Sequence, residues 1–117
     1  MPFKFENLKV WQLSIKLSNL INTLCKKFPK EELFILTSQI KRATDSISLN
    51  IAEGSTGQSK EEFKKFLGYA IRSGIEVVGC LYLAKTRNYI NENEFKELYV
   101  FLDSLIRSIQ SLRNSLK

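Results

Sequence analysis

Histidine is absent from the 117-residue chain, and glycine (5), cysteine (2), proline (2), methionine (1) and tryptophan (1) are scarce. Without histidine the chain cannot build Ser-His-Asp or Cys-His catalysis, a histidine-ligated zinc or a histidine pH switch, which removes a large share of enzyme chemistry. The expectation is a protein that is not an enzyme, with no catalytic residue, no cofactor and no metal. Cys25 and Cys80 stand alone, each inside an apolar helical pattern, and read as buried, reduced thiols rather than as a redox or metal pair. The segment from Met1 to Glu6 lacks the basic stretch, apolar run and small-residue cleavage site of a signal peptide, and no stretch of about 18 apolar residues is found to span a bilayer. A cytoplasmic protein with no membrane contact is expected.

What the chain does have is 18 Lys and Arg against 12 Asp and Glu, a net charge of +6, and a hydrophobic fraction of 44%. A chain of this length buries roughly two thirds of the surface its unfolded form exposes, enough to hold a core without metals or disulfides. Residues 1–117 are therefore read as one domain.

The few glycines and prolines fall where four helices want breaks. Val10, Leu13, Leu17, Leu20, Leu24 and Phe28 recur at spacings of three and four, one face of a first helix that Pro29 terminates. A second helix, from about Glu31 to Glu53, places Leu33, Leu36, Ile40, Ala43, Ile47 and Ile51 on one stripe and stops at Gly54, read as a left-handed C-terminal residue. Ser59 opens the third helix, with Glu62 completing a capping box, and Phe63, Leu67, Ala70, Gly74, Val77, Leu81 and Ala84 form its seam. Asn91 and Glu94 cap the fourth, whose seam is Phe95, Leu98, Leu102, Leu105, Ile109, Leu112 and Leu116. Short connections near Pro29, from Gly54 to Gln58 and from Asn88 to Asn91 predict an all-α, antiparallel up-down-up-down four-helix bundle. At about 1.5 Å per residue it would be a rod roughly 30–45 Å long.

A bundle helix needs one apolar stripe, yet the second helix carries a further row, Gln39, Arg42, Ser46, Asn50 and Glu53, about 100° from its core stripe. Ile35 and Leu49 lie at the row's far edge, so apolar groups bracket polar ones. Beside the third helix's seam runs a similar row of Tyr69, Ser73, Glu76, Cys80 and Leu83. A catalytic or ligand site built on Arg42, Asn50, Glu53 and Glu76 is one reading. The favoured one is a buried hydrogen-bonded network, Arg42 facing Glu76 or Glu53, at an oligomer interface formed by Gln39, Arg42, Ser46, Asn50, Glu53, Ser73 and Glu76. The third is an ordinary solvated face. Glu53 and Glu76 could do acid–base work only at a separation that nothing local fixes. The segment from Gly54 to Lys60 lacks the spacing and preceding strand of a phosphate loop and reads as a connector.

In an antiparallel bundle the second connection shares an end with both termini. That end gathers Lys4, Lys9, Lys60, Lys64, Lys65, Arg113 and Lys117 against Glu6, Glu53, Glu61 and Glu62, while the opposite end is nearer balance. Repeated by symmetric oligomerisation, this excess becomes a broad cationic surface of the kind that binds nucleic acid without sequence preference. Lys60, Lys64, Lys65, Arg113 and Lys117 are its candidate contacts. The alternative is charge that serves solubility.

The runs from Phe5 to Trp11 (FENLKVW), Phe28-Pro29, Gln39 to Ala43 (QIKRA), Ser46-Ile47, Asn50 to Gly54 (NIAEG), Glu62-Phe63 and Phe66-Leu67 resemble the pattern of the bacterial 23S rRNA-intervening sequence proteins. The chain is also similar to the accessory protein of diversity-generating retroelements, a basic pentameric bundle associated with nucleic acid. The resemblance covers nearly the whole chain. It implies a small four-helix bundle that assembles as a homo-pentamer, with no established catalytic activity. The family's polar positions fall on Arg42, Ser46, Asn50 and Glu53, the row already read as an interface. Gly74 departs from the larger seam residue expected there.

Three classes of function follow. A non-enzymatic homo-oligomer binding RNA or DNA through its basic end ranks first, a scaffold binding another protein second, and a small-molecule enzyme third. The first needs phosphate-contacting cations, and the third a deep pocket with convergent polar groups.

Overall fold

In a computed structural model, residues 3–57 and 59–117 are described. The expected connector from Gly54 to Gln58 thus ends on a residue outside the described ones. A 3-10 turn, Lys4–Asn7, leads into α1 (Lys9–Cys25), a second 3-10 turn, Lys30–Glu32, precedes α2 (Leu36–Gly54), and α3 (Lys60–Thr86) and α4 (Glu92–Ser115) complete the chain. No strand occurs among the described residues, and the rod measures 43 × 24 × 21 Å.

Two neighbouring pairs of helices meet at positions that run in opposing order. Across α2 and α3, Gln39 meets Glu76, Ser46 meets Ser73 and Gly54 lies against Phe66; across α3 and α4, Gly74 lies against Ile106 and Gly68 against Arg113. The contact of α2 with α3 is the most extensive, and that of α1 with α4 is the thinnest of the four between helices.

The α3 seam is buried throughout, as is the α4 seam from Phe95 to Ile109. Both keep unbroken four-three spacing, so only one stripe can face the core. Gly74 fits its seam: a Cβ there would meet Ile106 Cγ1 at 3.0 Å, so the missing side chain is what lets Ile106 pack over α3. Caps hold the helix starts. Ser59 Oγ accepts from the Glu62 amide at 3.0 Å, one arm of the expected box, while Asn91 and Glu94 complete theirs in both directions at 2.8 Å.

Four expectations are corrected. The core stripe of α1 is Val10, Ser14, Leu17, Ile21 and Leu24, leaving Leu20 at the surface and Leu13 half-buried. Helix α2 begins at Leu36, not Glu31, because Ile35 breaks the helical backbone (φ −119°, ψ −97°), and Leu33 is exposed. Gly54 is not left-handed; among the described residues Gly57 (φ 89°) and Asn88 (φ 60°) are. Gly54 serves instead as a close approach, since a Cβ would fall 2.5 Å from Phe66 Cβ. Finally, α3 is long and apolar enough by composition to cross a membrane, because only Arg72 and Glu76 interrupt its apolar centre. Its seam is the core of the bundle.

Candidate interaction surfaces

The polar row of α2 opens onto α3. At its centre Ser73 Oγ donates to Ser46 Oγ at 2.9 Å, and Asn50 Nδ2 donates to Ser46 Oγ at 2.9 Å and to the Ser46 carbonyl at 2.8 Å, all three residues half-buried. This hydroxyl–amide cluster fixes the register of α2 on α3. Toward the start of α2, Gln39 Nε2 donates to Glu76 Oε2 at 3.4 Å, and Arg42 Nη2 donates to Ser38 Oγ at 3.5 Å. Gln39, Arg42, Ala43, Ser46, Ser73 and Glu76 line a surface notch of about 370 Å³.

The sequence reading pairs Arg42 with Glu76 or Glu53; in the folded chain it makes neither ion pair, and all three side chains are exposed. Register explains the missing Glu53 pair. Glu76 sits level with Gln39, whereas Glu53 lines a separate notch with Thr56, Glu62 and Phe66, and the 14 positions between 39 and 53 span about 21 Å of helix. The same distance rules out Glu53 and Glu76 as an acid–base pair. The row's borders are apolar and open: Ile35, just before α2, and Leu49 on it are 62% and 65% exposed, and Tyr69 and Leu83 on α3 are also exposed.

The basic residues do gather at one end. Lys60 Nζ donates to the Lys117 carbonyl at 2.8 Å, the Arg113 guanidinium lies over Gly68, and Lys4 Nζ sits 5.5 Å from the Phe63 ring centroid. Lys64, one turn after Lys60, is half-buried beside them. Lys65 lies about 100° further round α3 and comes within 3.9 Å of Glu62. At the opposite end three ion pairs form, Lys27 with Glu94, Lys85 with Glu92 at 2.9 Å and Arg87 with Glu32 at 3.0 Å, and six cations there (Lys26, Lys27, Lys30, Lys85, Arg87, Lys96) stand against five carboxylates (Glu31, Glu32, Glu92, Glu94, Glu97). The uncompensated positive charge therefore lies toward the Lys60 end.

Sequence reasoning missed Glu32. Its buried carboxylate accepts from Tyr89 Oη at 2.7 Å, from Arg87 Nη1 at 3.0 Å and from the Leu36 amide at 3.3 Å. It thereby caps α2 and ties that helix start to the end of α3. The Tyr89 hydrogen bond, with lesser help from Leu36 and Arg87, holds the Glu32 carboxyl below the usual range, and the same bond raises the Tyr89 phenol. With both partners 55 or more positions away, no local pattern announces this site. Also missed is Phe34, 87% exposed just after it; with Leu33, expected on the core stripe, and Ile35, expected at the border of the polar row, it stands in solvent.

Both cysteines are buried and free. Burial raises the Cys25 thiol against the opposing charge of Lys41, and burial, then Glu76 and Cys25, push Cys80 up to about 11. Among the described residues no three Cys, Asp or Glu side chains converge as a metal-binding set.

The family model for the 23S rRNA-intervening sequence protein matches residues 6–111. No curated protein matches the chain.

Proposed function

The chain belongs to the 23S rRNA-intervening sequence protein family, and from that premise we propose that it is a non-enzymatic, cytoplasmic homo-oligomer that binds RNA or DNA without sequence preference through its basic end. The observation that carries this reading is the asymmetry of charge along the rod: cations and carboxylates nearly balance at the end near Glu94, where three ion pairs form, while Lys60, Lys64, Arg113 and Lys117 collect at the other. Self-association is supported by the α2/α3 face, where a hydrogen-bonded polar row lies between exposed Ile35, Leu49, Tyr69 and Leu83. Another protein surface can cover these apolar borders provided that it brings partners to the charged side chains of the row, Arg42 and Glu76. The pentamer that the family resemblance implies is the assembly we assign to it.

Phosphate neutralisation releases counterions, so affinity should fall with salt at a log–log slope of about −0.9 per duplex phosphate contacted, or about −0.7 on single strands. Replacing Lys60, Lys64 and Lys65 together by Ala should weaken binding uniformly across sequences and flatten that slope. The same change at Lys26, Lys27 and Lys30 should do less. Absence of binding at low salt, or equal loss from both ends, overturns the nucleic-acid reading and leaves the protein scaffold. Exposed Tyr82 and Tyr99, their rings 6.4 Å apart across α3 and α4, favour that second reading, because aromatic side chains concentrate at protein interfaces.

Arg42→Ala tests the assembly. With no carboxylate partner among the described residues, its removal should leave a single chain's stability within about 0.5 kcal/mol of wild type. Its effect should appear as a lower assembled mass in light scattering. A large fall in stability with unchanged mass would place Arg42 in the chain's own core energetics instead.

A further inference from the structure

Leu33, Phe34 and Ile35 form a knob of three consecutive apolar side chains, 51%, 87% and 62% exposed. Monomeric proteins rarely expose a contiguous apolar patch of more than a few hundred Å², and the largest such patch is often functional. The knob is held from both sides, by the Glu32 carboxylate bound to Arg87 and Tyr89 and by Leu36, which is 1% exposed.

Elsewhere on the same chain lies a groove of matching character. Where α1 and α4 make their thin contact, Leu20, Leu24, Leu98 and Phe101 line a depression of about 430 Å³, roomy enough for an aromatic ring, with Lys16 and Glu97 among its polar residues. Among the described residues neither Lys16 nor Glu97 has an ion-pair partner, and neither do Lys30 and Glu31, which directly precede the knob's own Glu32 anchor. The two surfaces are thus complementary in shape class and in charge, each offering one cation and one anion to the other.

We infer that Phe34 of one copy of the chain seats in the α1/α4 groove of a second copy. The inference rests on the self-association reading and gives it a geometry. Knob and groove are different surfaces, so the contact is head-to-tail and leaves each copy a free knob or groove until a ring closes. Height along the rod favours closure. Leu33 shares a pocket with Asn22, Cys25 and Lys26, and the groove is lined by Leu20, Thr23, Leu24 and Lys27, so both surfaces lie at one level and successive copies need no rise. A stable interface takes about 1,200–2,000 Å² in total, more than three side chains supply. Ile35 leads directly into the row of Gln39 and Arg42, which extends the knob face along α2.

The test uses two single variants of the full chain, Phe34→Asp to spoil the knob and Leu20→Asp to spoil the groove. Both positions are exposed (Leu20 at 39%), and circular dichroism checks that each variant folds. If Leu20→Asp does not fold, Thr23→Arg, at an exposed position of the same groove, replaces it. Light scattering should show wild type as an oligomer and each variant reduced to the 13.5 kDa of one chain. An equimolar mixture should form a complex of two chains and no more, because one intact knob and one intact groove remain. Wild type running as a monomer would remove the self-association reading along with the inference. An oligomeric wild type with Phe34→Asp at the same mass, or two dissociated variants that do not pair when mixed, overturns the inference and spares that reading.

Discussion

Replacing Gly54 and Gly79 by alanine, one at a time, should move stability in opposite directions. At Gly54, the buried last residue of α2, a Cβ would lie 2.5 Å from Phe66 Cβ and 3.2 Å from Phe63 Cδ1. Carbon atoms prefer about 3.5–4.0 Å, so α2 and α3 would have to part by about 1 Å, since Phe66 Cβ is tied to its backbone and cannot rotate away. Overpacking of this kind costs about 1–3 kcal/mol, against which alanine's helix propensity returns at most about 1 kcal/mol, leaving a net loss of up to about 2 kcal/mol even with the full return. Gly79 lies in the middle of α3, exposed, and a methyl group added there would find nothing within 4 Å. There the propensity term stands alone, a gain of about 0.8–1 kcal/mol. For a chain of this length each kcal/mol is worth about 3–6 °C in Tm. Thermal melts followed by far-ultraviolet circular dichroism should therefore place Gly54→Ala below wild type and Gly79→Ala above it. All samples need one protomer concentration, because assembly makes Tm depend on it. Gly54→Ala melting at or above wild type would refute the close approach of α2 to α3.

Glu32→Gln tests the capping carboxylate through pH. Because its folded pKa is lowered, its stabilisation is complete above the unfolded value of about 4.3 and is lost as pH falls through the lower folded value, so the variant should melt below wild type at pH 7 and the gap should close below about pH 4. A gap unchanged from neutral pH down to strong acid would show that the carboxylate's charge plays no part. With Cys80 pushed up to about 11 and Cys25 raised, both thiols should resist a thiol-specific reagent at mildly alkaline pH in the folded chain and react at the free-thiol rate in denaturant. Fast labelling of the folded protein would mean that the packing over these thiols opens.

The helices were legible to different degrees for physical reasons. In α3 and α4 a single stripe satisfies four-three spacing, and its residues are the buried ones. In α1 two interleaved stripes satisfy it equally, one through Leu13 and Leu20, the other through Ser14 and Ile21. Hydrophobicity favours the first, but the second is buried because Ser14 Oγ donates to the Trp11 carbonyl at 2.6 Å, so its hydroxyl enters the core satisfied. The start of α2 was illegible because the group that sets it, Glu32, is held by Arg87 and Tyr89 from the far end of α3. Short-range spacing cannot report a contact made 55 positions away.

For the polar row the sequence shows which side chains share a face, but only the register shows which of them can meet. Ser46 against Ser73 and Gly54 against Phe66 place Arg42 opposite the stretch around Glu76 and leave Glu53 eleven positions, about 16 Å, further along α2. Among the described residues the Arg42 side chain then bonds only to Ser38, and that of Glu76 only to Gln39, both in solvent. Covering these charges without partners would carry a desolvation cost that the apolar borders alone do not offset. Any surface that closes over Ile35, Leu49, Tyr69 and Leu83 must therefore bring an acceptor to Arg42 and a donor to Glu76. That requirement selects among partners by charge placement, whereas the exposed apolar residues would accept almost any hydrophobic surface.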